Sequence, residues 1–155
     1  MYVDKGISLY LRINEGNLYY IREISWEGNL MKSDSLLNKV SEIKMGDLFN
    51  KQNFDMNVLE SINSLYMNEG FLQFNVESII KPVNNEDSLD VKFFITENQV
   101  FTVNNIIVSG NKNTDENVIR RELDIFPGEK FNRNKLYQSV TDLWMLNFFT
   151  DIIPK

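Results

Sequence analysis

The chain predicts an α+β fold made of tandem βααββ units, each a small mixed sheet with two helices on one face. Three observations carry that prediction. Val91, Phe93 and Ile95 alternate with Lys92 and Thr96, the period of a half-buried strand, and a second extended run starts at Val100 and stops at Ser109-Gly110-Asn111. The same design occurs from Leu9 to Asn29, and a single shift of 82 residues lays Ile13 on Ile95, Glu15 on Glu97 and Gly28 on Gly110. Between and after these copies lie apolar stripes of helical spacing, punctuated by glycine turns. The chain thus reads as a stretch of tandem repeat. Residues 1–16 hold the terminal strand of a preceding truncated unit, 17–98 a complete unit, and 99–155 a unit lacking its last strand.

In order, residues 3 to 15 are expected to form that first strand. Leu18 to Trp26 is the next, and it changes face, because Ile21 and Ile24 are an odd number apart. Val103 and Ile106 repeat the spacing, which predicts a bulge or a bend. A helix follows, with Leu36, Leu37, Val40 and Ile43 on one face and Ser33 or Asp34 as its cap. Its counterpart carries Val118, Ile119 and Leu123 after Asp115-Glu116, acids placed well for a helix start. Met45-Gly46-Asp47 and Pro127-Gly128-Glu129 are turns, the second with the residues of a type II turn. A longer helix has the stripe Phe54, Val58, Ile62, Leu65 and Tyr66, stopped by Gly70. Its partner, Leu136, Val140, Leu143 and Trp144, stops at Asn147 and is about one turn shorter. Phe71 to Val83 is a strand, a polar hairpin spans Asn84 to Ser88, and a strand begins again at Phe148. The short connection Glu97-Asn98-Gln99 predicts a restricted joint between units.

The totals narrow the function. Eleven Phe, two Trp and six Tyr supply anchors for packed cores. A net charge of −6 argues against nucleic acid and against a polybasic membrane surface. No apolar run approaches the ~20 residues of a spanning helix. The chain has neither Cys nor His. That removes disulfides, thiolate nucleophiles, imidazole bases and nearly all zinc chemistry, and no cofactor is expected.

The βααββ order, the Gly-Asn pairs 28–29 and 110–111, the turns Gly46-Asp47-Leu48-Phe49 and Gly128-Glu129-Lys130-Phe131, and Leu65-Tyr66-Met67-Asn68-Glu69-Gly70-Phe71 resemble POTRA domains. Val118-Ile119-Arg120-Arg121-Glu122-Leu123 and Leu146-Asn147-Phe148-Phe149 are most similar to the POTRA units of outer-membrane protein assembly factors. Asn147 stands where that family usually has Gly, and Asn also tolerates left-handed backbone. The resemblance covers nearly the whole chain. It implies a non-enzymatic module on the periplasmic side of the bacterial outer membrane, in a parent anchored by a C-terminal barrel absent here. Its partners would be unfolded outer-membrane β-barrel proteins and accessory assembly lipoproteins. A module of a two-partner secretion transporter or of a cell-division scaffold is the alternative, and an enzyme using carboxylates alone a remoter one.

Few side chains suggest chemistry. Glu86-Asp87 sits on a hairpin and Asp115-Glu116 in a helix first turn, whereas carboxylate catalysis needs groups facing one another across a pocket. Arg120-Arg121 reads as a solvated helix face, and Tyr66, Trp144, Phe148 and Phe149 read as core. The functional candidate is a sheet edge, whose unpaired N–H and C=O groups can accept a partner's strand. The edge is placed at Leu72, Gln73, Phe74, Asn75, Val76, Glu77 and Ile79, with Gln73, Asn75 and Glu77 outward. Pro82 suits an edge strand, and with Glu77 it could equally blunt the edge. The chain's ends predict a further contact, a head-to-tail self-association in which the Leu9–Ile13 strand of one copy completes residues 99–155 of the next.

Overall fold

Ser88–Thr96 (β3) is the strand on which the rest is laid. Leu89, Val91, Phe93 and Ile95 face inward and are buried, while Lys92 and Thr96 face water. Burying each such side chain contributes about 1.5–3 kcal/mol, so this strand alone supplies a large part of the core's hydrophobic stabilisation. A computed structural model describes residues 9–84 and 86–155. In it β3 pairs in parallel with Tyr20–Glu27 (β1) and antiparallel with Asn75–Pro82 (β2), giving a mixed sheet of order β1-β3-β2. Trp26 stacks on Phe93 with ring centroids 4.1 Å apart, and Phe54 packs on the same ring at 5.6 Å.

The face change in β1 is a slip of register between Ile21 and Glu23, which leaves Arg22 as the extra residue. Arg22 turns outward and grips Asp90 with two hydrogen bonds of 2.8 and 2.6 Å. That hydrogen bond holds the Asp90 carboxyl below its ordinary range. At the strand's end Gly28 has φ of +87°, and a β-carbon there would lie 2.1 Å from the Ile95 carbonyl oxygen. No other residue fits so close a crossing.

Asp34–Ser41 (α1) is capped by Ser33, whose hydroxyl accepts the Leu36 N–H. It ends sooner than the apolar stripe suggests. Glu42 turns into left-handed backbone, and Ile43 reaches the core from the loop. The longer helix runs as Lys51–Asn53 (α2), a π-helical turn over Phe54–Val58, and Leu59–Met67 (α3). Its stripe of Phe54, Val58, Ile62 and Tyr66 advances four residues at a time, and all four are at most 2% exposed. In a straight α-helix each such step drifts about 40° around the axis. The wider π turn takes back part of that drift and keeps the stripe on the core.

Glu116–Arg120 (α4) and Arg133–Met145 (α5) follow, capped by Asp115 and Asn132. Here the structure departs from the expected strands. Of the run from Val100 to Ser109 only Thr102 forms a β-bridge, opposite Lys130 and held by the backbone bonds of Phe101 and Val103, and no strand begins at Phe148. In residues 17–98 the first strand is held by β3, and no described segment of 99–155 takes that part. Trp144 and Phe148, expected in the core, are consequently 41% and 62% exposed. Ile106, Val108, Leu136, Val140 and Leu143 surround a cavity of about 330 Å³. The strand expected over residues 3–15 lies partly outside the described residues, and from Leu9 to Ile13 the chain is unpaired and exposed.

Candidate functional site

Each outer strand of the sheet has one unshared side. On β1 the first half of that side is closed by the turn after α1. Ile21 N–H donates to the Asp47 carbonyl (2.9 Å), Gly46 N–H to Ile21 (2.7 Å), and Phe49 N–H to Tyr19 (2.8 Å). On β2 the far side has no backbone partner among the described residues. The β2 edge is therefore the longer open one.

Its phase follows from one bond. Val83 N–H donates to the Ser88 carbonyl at 2.9 Å, and the register from Asn75↔Thr96 to Pro82↔Leu89 runs without a slip. Antiparallel partners alternate between bonded and unbonded pairs. Asn75, Glu77, Ile79 and Lys81 thus bond to β3, and the backbone of Val76, Ser78, Ile80 and Pro82 points to the open side. Pro82, which has no N–H, falls where a donor would otherwise face solvent. The side chains follow the opposite rule. Asn75, Glu77 and Ile79 are exposed on the outer sheet face, while Val76, Ser78 and Ile80 are half-buried toward the helices.

The residues proposed from sequence divide accordingly. Leu72, Gln73 and Phe74 lie in a turn ahead of the strand, with the Gln73 carbonyl held by the Asn98 side chain at 2.6 Å. Asn75, Val76, Glu77 and Ile79 lie on β2 itself. Strand alternation located their side chains but not their backbone groups. Beside β2, on the helix side, Met56, Leu59, Asn63 and Met67 overhang Phe74 and Val76 and form a groove of about 460 Å³.

The joint between the two units carries features that sequence reading passed over. Glu97, read as linker, is 7% exposed. Its carboxylate accepts the Met31 N–H at 2.9 and 3.0 Å and the Tyr66 hydroxyl at 2.8 Å. Burial, and then this bond, push the Tyr66 phenol well above its ordinary range. Glu15, its counterpart in the repeat, was the available signal. Phe101 N–H donates to Gly70, where φ is +94° and a β-carbon would meet the Phe101 oxygen at 2.8 Å. Asn68 receives the Asn134 N–H on its side chain and the Asn132 amide on its carbonyl, and Arg133 pairs with Glu60.

The remaining candidates serve local structure. Glu86 accepts from Ser88, Asp115 caps α4, and Glu116 pairs with Arg120. Arg121 pairs with its neighbour Glu122.

The POTRA family model, described as surface antigen variable number repeat, matches residues 19–98 and 101–155. The chain is 28% identical over 162 residues to the outer membrane protein assembly factor BamA of Nitratidesulfovibrio vulgaris, covering 99% of this chain and 20% of that protein. It is 22% identical over 150 residues to BamA of Buchnera aphidicola, covering 96% of this chain and 24% of the relative. The chain thus spans about a fifth to a quarter of these relatives. The crystal structure of Haemophilus influenzae BamA POTRA3-5 superimposes with a TM-score of 0.74 at 19% identity, over 88% of this chain and 54% of that one. BamA from Haemophilus ducreyi lacking POTRA domains 1-3 gives 0.74 at 21% identity, over 89% and 25%.

Proposed function

The chain belongs to the POTRA family, and from that premise we propose that it is a periplasmic module of an outer-membrane protein assembly factor. It takes extended segments of unfolded outer-membrane β-barrel proteins, and of accessory assembly lipoproteins, onto the open edge of β2. The observation that carries this reading is the row of unpaired backbone groups at Val76, Ser78 and Ile80. Backbone pairing places little demand on the client's sequence, which suits a factor handling many barrels. The similarity to assembly factors named BamA supplies the setting.

The test lies at Ser78. Proline there removes one open-edge donor while leaving the bonds to β3 in place, and Ser78→Ala retains the donor. Titration with a synthetic peptide copied from a barrel strand should show affinity about tenfold lower for Ser78→Pro and unchanged for Ser78→Ala. One lost hydrogen bond at ~0.5–1.5 kcal/mol, plus the ring in the path of the strand, accounts for that drop. A folded Ser78→Pro protein with unaltered affinity would show the edge to be idle, blunted by Pro82 and Glu77.

The proposal extends to the chain's own ends. Leu9, Leu11 and Ile13 stand 82 residues before Val91, Phe93 and Ile95, which are buried on β3. In a second copy they would offer residues 99–155 the central strand, a head-to-tail contact.

A further inference from the structure

The loop after Gly110 is the loop after Gly28 built a second time. Lys112 N–H donates to the Gly110 carbonyl and the Asn111 amide to that of Thr114, as Leu30 does to Gly28 and Asn29 to Lys32. Its surroundings differ in three ways. A β-carbon on Gly28 would lie 2.1 Å from the Ile95 carbonyl oxygen, whereas on Gly110, at φ of +91°, it would meet nothing within 4 Å. Met31 N–H is held by the Glu97 carboxylate, whereas Asn113 N–H, 82 residues on, has no acceptor among the described residues. Tyr66 is fully buried with its hydroxyl on Glu97, whereas Trp144, at the same place in the run Leu143-Trp144-Met145, is exposed. All three differences, and the cavity between Ile106, Val108, Ile119, Leu136, Val140 and Leu143, fall where the first unit has Val91 to Glu97.

We infer that residues 99–155 are an acceptor for Leu9 to Glu15 of a second copy, and that the Glu15 carboxylate is the anchor that fixes the strand in place. The inference rests on the head-to-tail contact proposed above and adds to it what selects the strand and its register. In the first unit Ile24 pairs with Val91 and Trp26 with Phe93. The 82-residue shift then sets Leu9 opposite Ile106 and Leu11 opposite Val108, carries Ile13 across Gly110, and brings Glu15 to Asn113 and Trp144. Apolar side chains alone would hold this strand loosely. Leu9, Leu11 and Ile13 are alike, so a slip of two residues keeps the same face inward. A carboxylate removes that freedom. The Trp144 indole N–H and the Asn113 N–H can only donate, and Glu15 can only accept. In any other register the donors lose their acceptor and a charge is buried without a partner. The cavity reads alternation, and the two donors read position.

The experiment is sedimentation equilibrium on the full chain, with tryptophan emission as a second readout. Raising the concentration should build mass in whole copies and move the emission to shorter wavelength, a shift absent in Trp144→Phe. Glu15→Ala should weaken association at least tenfold. Glu15 is exposed and outside every helix and strand, so circular dichroism should be unchanged. Glu15→Ala combined with Trp144→Phe should associate no more weakly than the weaker single variant, because both remove one interaction. Association as tight in Glu15→Ala as in the parent would overturn the anchor and leave the head-to-tail contact standing. A monomer at every concentration, with Trp144 exposed, would overturn the contact and the anchor with it. A monomer in which Trp144 is shielded at every dilution would place the strand within its own chain, against the inference. Association abolished by Ser78→Pro and untouched by Glu15→Ala would assign it to the edge of β2, also against the inference.

Discussion

At Asn75, Glu77 and Ile79 the side chain is in water while the backbone is bonded to β3, and at Val76, Ser78 and Ile80 the reverse holds. Which residue is outward therefore depends on which group is meant, and a substitution aimed at strand capture belongs at the even positions. The joint poses a comparable single-atom question at Tyr66. Its hydroxyl is one of the donors to the buried Glu97 carboxylate. Tyr66→Phe keeps the ring stacked on Phe74 at 4.1 Å and leaves one carboxylate oxygen short of a donor. Urea denaturation should show a loss of about 1.5–3 kcal/mol, the range for hydrogen bonds to charged groups. A change below ~0.5 kcal/mol would mean that water replaces the hydroxyl. Alternation of side chains was legible in the sequence because burial imposes it. The parity of the backbone was not, since it is set by the single Val83–Ser88 bond in the hairpin.

Among elements, α5 is unusual in drawing its N-terminal cap from two units. Asn132 takes the Lys135 N–H, and Asn68, at the end of α3, takes the Asn134 N–H. Bending at the joint would leave that donor bare, so orientation and helix capping are coupled. The chain has no cysteine, which allows clean spin-labelling of Lys39→Cys on α1 and Thr141→Cys on α5. Electron–electron distance measurements should give one narrow distribution, broadened in Asn68→Ala, with stability lower by about 0.5–2 kcal/mol as for other lost caps. A distribution equally narrow in the variant would assign the joint to Arg133–Glu60 and the Gly70–Phe101 contact alone. The elements were largely visible in the repeat, because Gly28, Gly46 and Gly70 mark its turns and the stripe from Phe54 to Tyr66 marks its helix. The π turn was hidden, because it corrects an angular drift and leaves no residue type of its own. The strand expected from Val100 is missing for a tertiary reason, the want of a strand beside it among the described residues.

For the molecule as a whole, the 82-residue repeat extends to individual backbone bonds. Ile21–Asp47, Gly46–Ile21 and Phe49–Tyr19 recur as Val103–Glu129, Gly128–Val103 and Phe131–Phe101, all between 2.7 and 3.0 Å. The same register makes Leu9, Leu11 and Ile13, each at least 79% exposed, equivalent to the buried face of β3. Burying three such side chains at roughly 1.5–3 kcal/mol each, before the cost of association, predicts weak head-to-tail self-association of this chain. Sedimentation velocity should show a concentration-dependent increase in mass that disappears when residues 1 to 15 are deleted. A strict monomer up to millimolar concentration would reject that contact. Pro82 has a different kind of consequence. With donors only at Val76, Ser78 and Ile80 before the proline interrupts the row, the open edge is a short grip, and a short grip means a brief dwell. Complexes of one kind differ mainly in how fast they come apart. A segment passing toward a membrane must be let go as surely as it is caught, and a docking row that stops after three rungs has release built into its length.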